Sequence, residues 1–416
     1  MSAWTKWVFV GAAIGTVAAL VPVVQGRVGI QDLKAPLAKL DIRPPAERAP
    51  EAPSCQGLDL LNVKLHPRRV TTTLSDGREA ELTLDPALQR TARSLMKRYS
   101  VPEAGIVLMD VKTADILAYA SHVADGKPFD VNARAEAPAA SIFKVVTGAA
   151  LVEVGKLNAK SEQCYHGGRS RIDADELRDD PQRDKACASL ASAMGRSLNV
   201  VFGRLAQKHL TPEDLTAMGG AFGFGGAVPF PVPNEPPKID IPPDPLEFAR
   251  SAAGFWHTTL SPLAAASIAQ TVANRGVTLE PRIVRAIRKG EETLWEQPNR
   301  PKVLRRAIRA ETAAELTKMM VNTVSDGSAY KSFHDGRRRP FLPNIAVAGK
   351  TGTLSRHKED RHYTWFVGFA PADEPEVAVS ALVVNTPVWR IKGPQLARDI
   401  LRAYFAQKRA PGVTSP

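Results

Sequence analysis

Ser141 and Lys144 stand three residues apart in Ser141-Ile142-Phe143-Lys144, ahead of the apolar positions Val145, Val146, Ala149 and Leu151. On a helix, residues i and i+3 share a face, so the Lys144 side chain comes within reach of the Ser141 hydroxyl. The chemistry open to such a pair is nucleophilic catalysis, in which an adjacent amine takes the proton of an attacking hydroxyl. Pro138-Ala139-Ala140 forces a turn before the serine. A hydroxyl at a helix start also lies where backbone N–H groups and the helix dipole favour developing negative charge. Ser and Lys at this spacing occur by chance in many chains, so the pair carries weight only with companions.

Two other stretches could supply them. Ser197-Leu198-Asn199, within LASAMGRSLNVVFGRLA, places a hydroxyl and an amide two apart before an apolar helix. Helix N-capping is the other use for that serine. Ala346-Val347-Ala348-Gly349-Lys350-Thr351-Gly352-Thr353 places a lysine at the end of an apolar strand, followed by two hydroxyls around a glycine. A cation with two hydroxyls suits a carboxylate, and Gly352 would let a substrate backbone approach closely.

S-x-x-K, S-x-N and K-T-G in this order resemble the active site of penicillin-binding proteins and serine β-lactamases. LTLDPALQ (82–89), IVLMDVKTADILAYAS (106–121), SPLAAASIAQTVANRG (261–276) and WFVGFAP (365–371) resemble the transpeptidase domain of high-molecular-weight penicillin-binding proteins, and the likeness covers roughly residues 80–405. The resemblance implies that Ser141 is the acylated nucleophile and Lys144 its base. It implies that Ser197 and Asn199 relay a proton to the leaving amine and hold the substrate amide, and that Lys350 shifts the pKa of its neighbours. Thr351, Gly352 and Thr353 would bind the terminal carboxylate of the donor, with the backbone N–H groups of Ser141 and Thr353 as oxyanion hole. Two nearby cations cannot both ionise easily, which favours neutral Lys144. No metal or cofactor is implied.

The implied activity is a peptidoglycan D,D-transpeptidase acting on stem peptides ending in D-Ala-D-Ala and inhibited by β-lactams. A separate glycosyltransferase or other cell-wall synthesis proteins are the implied partners, with no nucleic acid. A D,D-carboxypeptidase or β-lactamase, or a β-lactam sensor or scaffold without turnover, are the alternatives. No E-x-x-L-N segment is present to supply the deacylating carboxylate of class A β-lactamases. About seventy residues separate the N-terminal apolar run from the sheet, too few for a glycosyltransferase domain or a large pedestal, since domains run to about 100–200 residues. Residues 354–362, LSRHKEDRH, are charged and are candidates for shaping acceptor choice.

The elements that would position these residues read as an α+β fold: an antiparallel β-sheet flanked by helices, plus an all-helical subdomain. VTTTL and EAELTL around Ser75-Asp76-Gly77 predict a hairpin. Asp85-Pro86 predicts a capped helix with Leu88, Ala92, Leu95 and Met96 on its apolar face. Gly105–Asp110 and Ile116–Ser121 predict adjacent antiparallel strands. Helices are expected over Ile142–Val154, Leu190–Ala206, Pro262–Asn274 and Gln395–Ala406, and strands over Asn344–Gly349, Tyr363–Ala370 and Glu376–Asn385. The Pro- and Gly-rich passage Gly223–Pro245 is expected to be irregular. Met319 and Met320 read as core, and Trp256 and Trp365 as packing residues, Trp365 near enough to the Lys350 strand to line a cleft. His334, His357 and His362 read as surface or strand-edge residues at no metal-like spacing.

Trp7–Val24 is an uncharged run long enough to span a bilayer, and Lys6 before it points to a cytoplasmic N-terminus with the rest exported. A cleaved signal peptide is the rival reading, with no clean cleavage site after the run. The expected organisation is a signal-anchor over 1–28, a Pro-rich linker over 29–60, a short extension with hairpin and helix over 61–100, and a transpeptidase domain over 101–410. The expected place is the bacterial cytoplasmic membrane, single-pass, with the catalytic domain on the outer side. Export makes a disulfide possible among Cys55, Cys164 and Cys187, and the irregular stretch between Cys164 and Cys187 favours that pair. The chain of 416 residues, 44% hydrophobic with 33 Pro, is too apolar for a disordered tail and too long for a disulfide-stapled scaffold. Its net charge of +12 suggests attraction to anionic surfaces. No aromatic-interleaved basic stripe points to nucleic acid, and Arg337-Arg338-Arg339 reads as a solvated loop.

Overall fold

The structure, a computed structural model, describes residues 53–168, 171–356 and 360–409. The apolar run Trp7–Val24, most of the Pro-rich segment and His357 lie outside these. Among the described residues no helix is long and apolar enough to cross a membrane.

Three short strands lead into the domain: β1 (Lys64–Leu65), β2 (Val70–Thr73) and β3 (Glu79–Leu82). β2 and β3 form the expected hairpin, with Gly77 at φ 84°, which glycine adopts without steric cost. Leu58 and Leu60, at the end of the Pro-rich segment, are buried against this hairpin's core. Asp85 caps α1 (Pro86–Arg98) by accepting from the N–H groups of Ala87 and Leu88, each at 2.8 Å. The expected antiparallel pair follows as β4 (Glu103–Asp110) and β5 (Ile116–Val123).

Helices occupy the middle: α2 (Lys144–Glu153), α3 (Leu190–Arg196), α4 (Asn199–His209), α5 (Pro212–Ala221), α6 (Pro245–Ala252) and α7 (Pro262–Ala273). The single helix expected over Leu190–Ala206 is therefore two. Ser197 adopts φ 59° and ψ 45°, which ends α3, and α4 begins at Asn199. Cys164 and Cys187 face each other in a two-stranded ladder (Glu162–Tyr165 with Ala186–Ser189) and form the disulfide, leaving Cys55 free.

The last third adds β6 (Val284–Lys289) and β7 (Glu292–Glu296), a hairpin that the sequence reading did not include. It completes a five-stranded sheet ordered β1-β2-β3-β6-β7. Then come α8 (Ala310–Ser325), β8 (Ala348–Arg356), β9 (Arg361–Ala370), β10 (Val377–Asn385) and α9 (Gly393–Arg409). The strand expected over Asn344–Gly349 is displaced. Asn344 has φ 62°, the strand starts at Ala348, and Lys350 to Thr353 lie inside it rather than beyond its end.

The central sheet is antiparallel, ordered β8-β9-β10-β4-β5, so strands from distant parts of the chain meet where β10 pairs with β4. It is covered on both faces, which is why β9 and β10 read as continuous apolar runs. Alternate residues divide between two cores, as the twofold period of a strand requires. Trp365, Val367, Phe369 and Leu382 join α2, α4 and α7 in one core, while Phe366, Val379, Ala381 and Val383 join α1 and α9 in the other. The fold is mixed α and β with antiparallel sheets.

Met319, Met320 and Trp365 are buried as expected. Trp256 is not a packing residue: it is 51% exposed at φ 54°. His257 N–H donates to the carbonyl of Phe255 at 2.8 Å, closing a three-residue turn with Trp256 at its apex. His334 stacks on Tyr330 and His362 on Trp389, both half-buried.

Candidate active site

Ser141 lies in a single 3-10 turn, Ala140–Phe143, that runs directly into α2. Several contacts clamp that turn. Ala139 N–H donates to the Thr258 carbonyl at 3.0 Å, and the buried Trp365 indole N–H donates to the Pro138 carbonyl at 3.0 Å. Gly254, at φ 86°, presses its backbone against the turn, and a β-carbon there would meet the Ala140 carbonyl oxygen at 2.2 Å. Ala140 itself is held at φ 49°, a region that costs an L-residue about 1–2 kcal/mol. Half-buried Ser141 is thus fixed from three directions.

Lys144 is fully buried at the start of α2. Its Nζ lies 2.9 Å from Ser141 Oγ, 2.8 Å from Asn199 Oδ1 and 2.5 Å from the Ala253 carbonyl oxygen. None of these is a carboxylate. Burial, reinforced by the charge of Lys350, holds its pKa well below the ordinary 10.5. The amide and carbonyl oxygens can only accept, so they take two N–H hydrogens of a neutral amine. The lone pair is left for the Ser141 hydroxyl, the one partner able to donate.

Lys350, equally buried, reaches Ser197 Oγ at 2.9 Å and the Thr351 carbonyl at 2.9 Å. Burial brings its pKa down to about 7. The left-handed turn at Ser197 does two things at once: it aims that hydroxyl at Lys350 and restarts the helix so that Asn199 faces Lys144. Thr351 and Thr353 share one side of β8, the edge strand beside the nucleophile turn, and Thr353 is exposed. Thr351 Oγ1 is 2.6 Å from Ser328 Oγ. Gly352 has a different reason to be glycine from the one expected. A β-carbon there would come within 3.2 Å of Ile142 and Trp365, so the close approach it permits is between β8 and the Ser141 turn.

All five chemical groups named from sequence converge: Ser141, Lys144, Ser197, Asn199 and Lys350. Ala253, Gly254 and Ser328 were missed. A backbone carbonyl has no residue signature, and only the glycine after helix α6 hinted at a special backbone there. A cavity of about 870 Å³ between α1 and α9, lined by Arg90, Phe341 and Arg402, contains none of these groups and is separate from the site.

Residues 104–404 match the family described as the penicillin-binding protein transpeptidase domain. The chain belongs to that family. Penicillin-binding transpeptidases are also its individual relatives. It is 27% identical over 346 residues to the peptidoglycan D,D-transpeptidase PbpA of Mycobacterium tuberculosis, covering 74% of this chain and 68% of that one. Among solved structures, the D,D-transpeptidase domain of a peptidoglycan glycosyltransferase from Eggerthella lenta superposes with a TM-score of 0.67 at 24% identity, over 80% of this chain and 84% of that one. The ceftriaxone acyl-enzyme complex of penicillin-binding protein A from M. tuberculosis gives 0.66 at 24% identity, over 80% of each chain. At these identities the structural likeness establishes the penicillin-binding transpeptidase fold.

Proposed function

We propose that this chain is a peptidoglycan D,D-transpeptidase that cross-links stem peptides ending in D-Ala-D-Ala through an acyl ester on Ser141, and that β-lactams inhibit it by acylating the same hydroxyl. The observation that carries the reading is Lys144 Nζ, buried, with its pKa held well below the ordinary range, at 2.9 Å from Ser141 Oγ with its other two hydrogen-bonding directions satisfied.

Ser141 Oγ attacks the carbonyl carbon of the penultimate residue as its proton passes to Lys144. The N–H groups of Ser141 and Thr353 stabilise the oxyanion. The peptide C–N bond then breaks, and the proton held by Lys144 reaches the leaving amine through Ser197, which Lys350 anchors. Asn199 holds both Lys144 and the substrate amide. Lys350, Thr351 and Thr353 take the terminal carboxylate, and Gly352 lets β8 lie close against the Ser141 turn. In the second half the acceptor amine attacks the ester, and its proton returns to Ser141 Oγ by way of Lys144.

The proposal includes a place: residues 7–24 anchor the chain in the bacterial cytoplasmic membrane with the catalytic domain outside, supported by the uncharged run and by the Cys164–Cys187 disulfide. A separate glycosyltransferase would supply the glycan strands. The test is intact-protein mass spectrometry after incubation with benzylpenicillin. The wild type gains one adduct that maps to Ser141, and Ser141→Ala gains none. An adduct on Ser141→Ala at the wild-type rate would overturn the assignment.

A further inference from the structure

A cavity of about 710 Å³ opens beside the motif turn, and Leu198, between Ser197 and Asn199, forms part of its wall. Tyr165 and Ala186, the neighbours of the two disulfide cysteines, also line it, so the disulfide-closed segment forms another wall. The charges around it are unbalanced. Arg171, Arg183, Lys185 and Arg196 face two carboxylates, Asp173 and Glu176.

The balance left for a ligand is narrower than that count. Arg183 is paired with Asp175 at 2.5 Å and Arg196 with Asp326 at 2.9 Å. Both oxygens of Glu176 are occupied by backbone N–H groups, of Gly168 at 2.7 Å and Asp173 at 3.0 Å. Lys185 donates to the Pro181 carbonyl at 3.2 Å, and neither it nor Arg171 has a carboxylate partner among the described residues. Two cations without a carboxylate partner among the described residues therefore gather at a cavity whose wall is contiguous with the catalytic turn. Their common complement is an anion with several acceptor oxygens.

The donor peptide's carboxylate already has a place at Lys350, Thr351 and Thr353, on the β8 side. The reactant without one is the acceptor, a peptide that carries carboxylates as well as its attacking amine. We propose that this cavity binds a carboxylate of the acceptor peptide and so selects which amine reaches the Ser141 ester, with Arg171 and Lys185 as its specificity-determining charges. The proposal rests on the transpeptidase reading above.

The experiment uses the full chain with a D-Ala-D-Ala-terminated donor and two synthetic acceptors. One is the tripeptide L-Ala-γ-D-Glu-L-Lys with its glutamyl α-carboxylate free, and the other is the same peptide with that group as a carboxamide. The measured quantity is the ratio of kcat/KM for the two acceptors. The wild type prefers the free carboxylate, and the double variant Arg171→Glu, Lys185→Glu lowers that preference by about tenfold or more, as expected for loss of hydrogen bonds to a charged group. Lys185→Arg, which keeps the charge, retains it. Raising the salt concentration erodes the wild-type preference, because exposed charges are screened. A preference unchanged in the double variant overturns the proposal. Benzylpenicillin labelling in the same samples separates the two readings: labelled enzyme with an unchanged preference defeats the acceptor site alone, whereas unlabelled wild type defeats the transpeptidase reading and this proposal with it.

Discussion

Nζ of Lys144 lies 2.8 Å from Oδ1 of Asn199, a residue 55 positions further along the chain that opens α4. The amide is neutral, so it orients the amine without adding a counter-charge that would keep it protonated. Asn199→Asp would add that charge and push the pKa of Lys144 back up. The expected result is a fall in penicillin acylation at pH 7 of about 10²-fold, the low end of what loss of a general base costs. The rate of the variant then climbs as pH rises and the amine loses its proton. Superimposable pH–rate profiles for the two proteins would show that the amide does not tune the base.

That contact also marks the boundary of what could be read from the chain. Ser141 and Lys144 were legible because three-residue spacing on a helical turn is a local property, and Lys350 because an apolar run leads into Lys350-Thr351-Gly352-Thr353. The break at Ser197 was not, since Gly195-Arg196-Ser197 carries no proline and the apolar pattern continues through it. A tertiary demand, the hydrogen bond from Lys350, overrides helix propensity there. The Ala253 carbonyl escaped notice for a different reason: backbone atoms are common to every residue. The Cys164–Cys187 pair could be favoured over pairings with Cys55 because the two flank an irregular stretch, whereas nothing local joined β6 and β7 to β2 and β3, some two hundred residues earlier.

Lys350 makes stability depend on pH. Burial sets its folded pKa at about 7 against an ordinary 10.5. Between those values the unfolded chain binds a proton that the folded chain has shed, so stability rises with pH across that window. Below it both states are protonated and folding bears the whole cost of burying an ammonium. Lys350→Met keeps the length and loses the charge. The melting temperature of the wild type, measured against Lys350→Met, should climb between pH 7 and pH 10 and stay level below pH 6. A difference that is constant across the range would contradict a depressed pKa.

Trp256 offers a test of backbone strain free of packing effects. At φ 54° any residue with a β-carbon is strained, whereas glycine is not. Trp256→Ala and Trp256→Gly lose the same indole contacts, so their difference reports the backbone alone. Trp256→Gly should be the more stable of the two by about 1 kcal/mol. At an ordinary negative φ the order reverses, because alanine limits the unfolded chain more than glycine does. Chemical denaturation of both variants decides the sign.

Arg204 is fully buried on α4 and holds the disulfide-closed segment to the helix that begins at Asn199. Its guanidinium grips Asp184 at 2.7 and 3.0 Å, and it donates to the carbonyls of Glu176 at 2.7 Å and Cys164 at 3.0 Å. Those hydrogen bonds hold the Asp184 carboxyl well below the usual carboxylate range. Arg204→Met fills similar volume yet takes from Asp184 its paired cation and from the Glu176 carbonyl its side-chain donor, the costly way to break a buried polar network. The melting temperature should fall by about 4 °C or more for a domain of this size. Limited proteolysis should then cut first between Cys164 and Cys187. Because α4 starts with the residue that orients Lys144, penicillin acylation should slow as well. A variant that melts and labels like the wild type would show that the disulfide alone holds the segment in place.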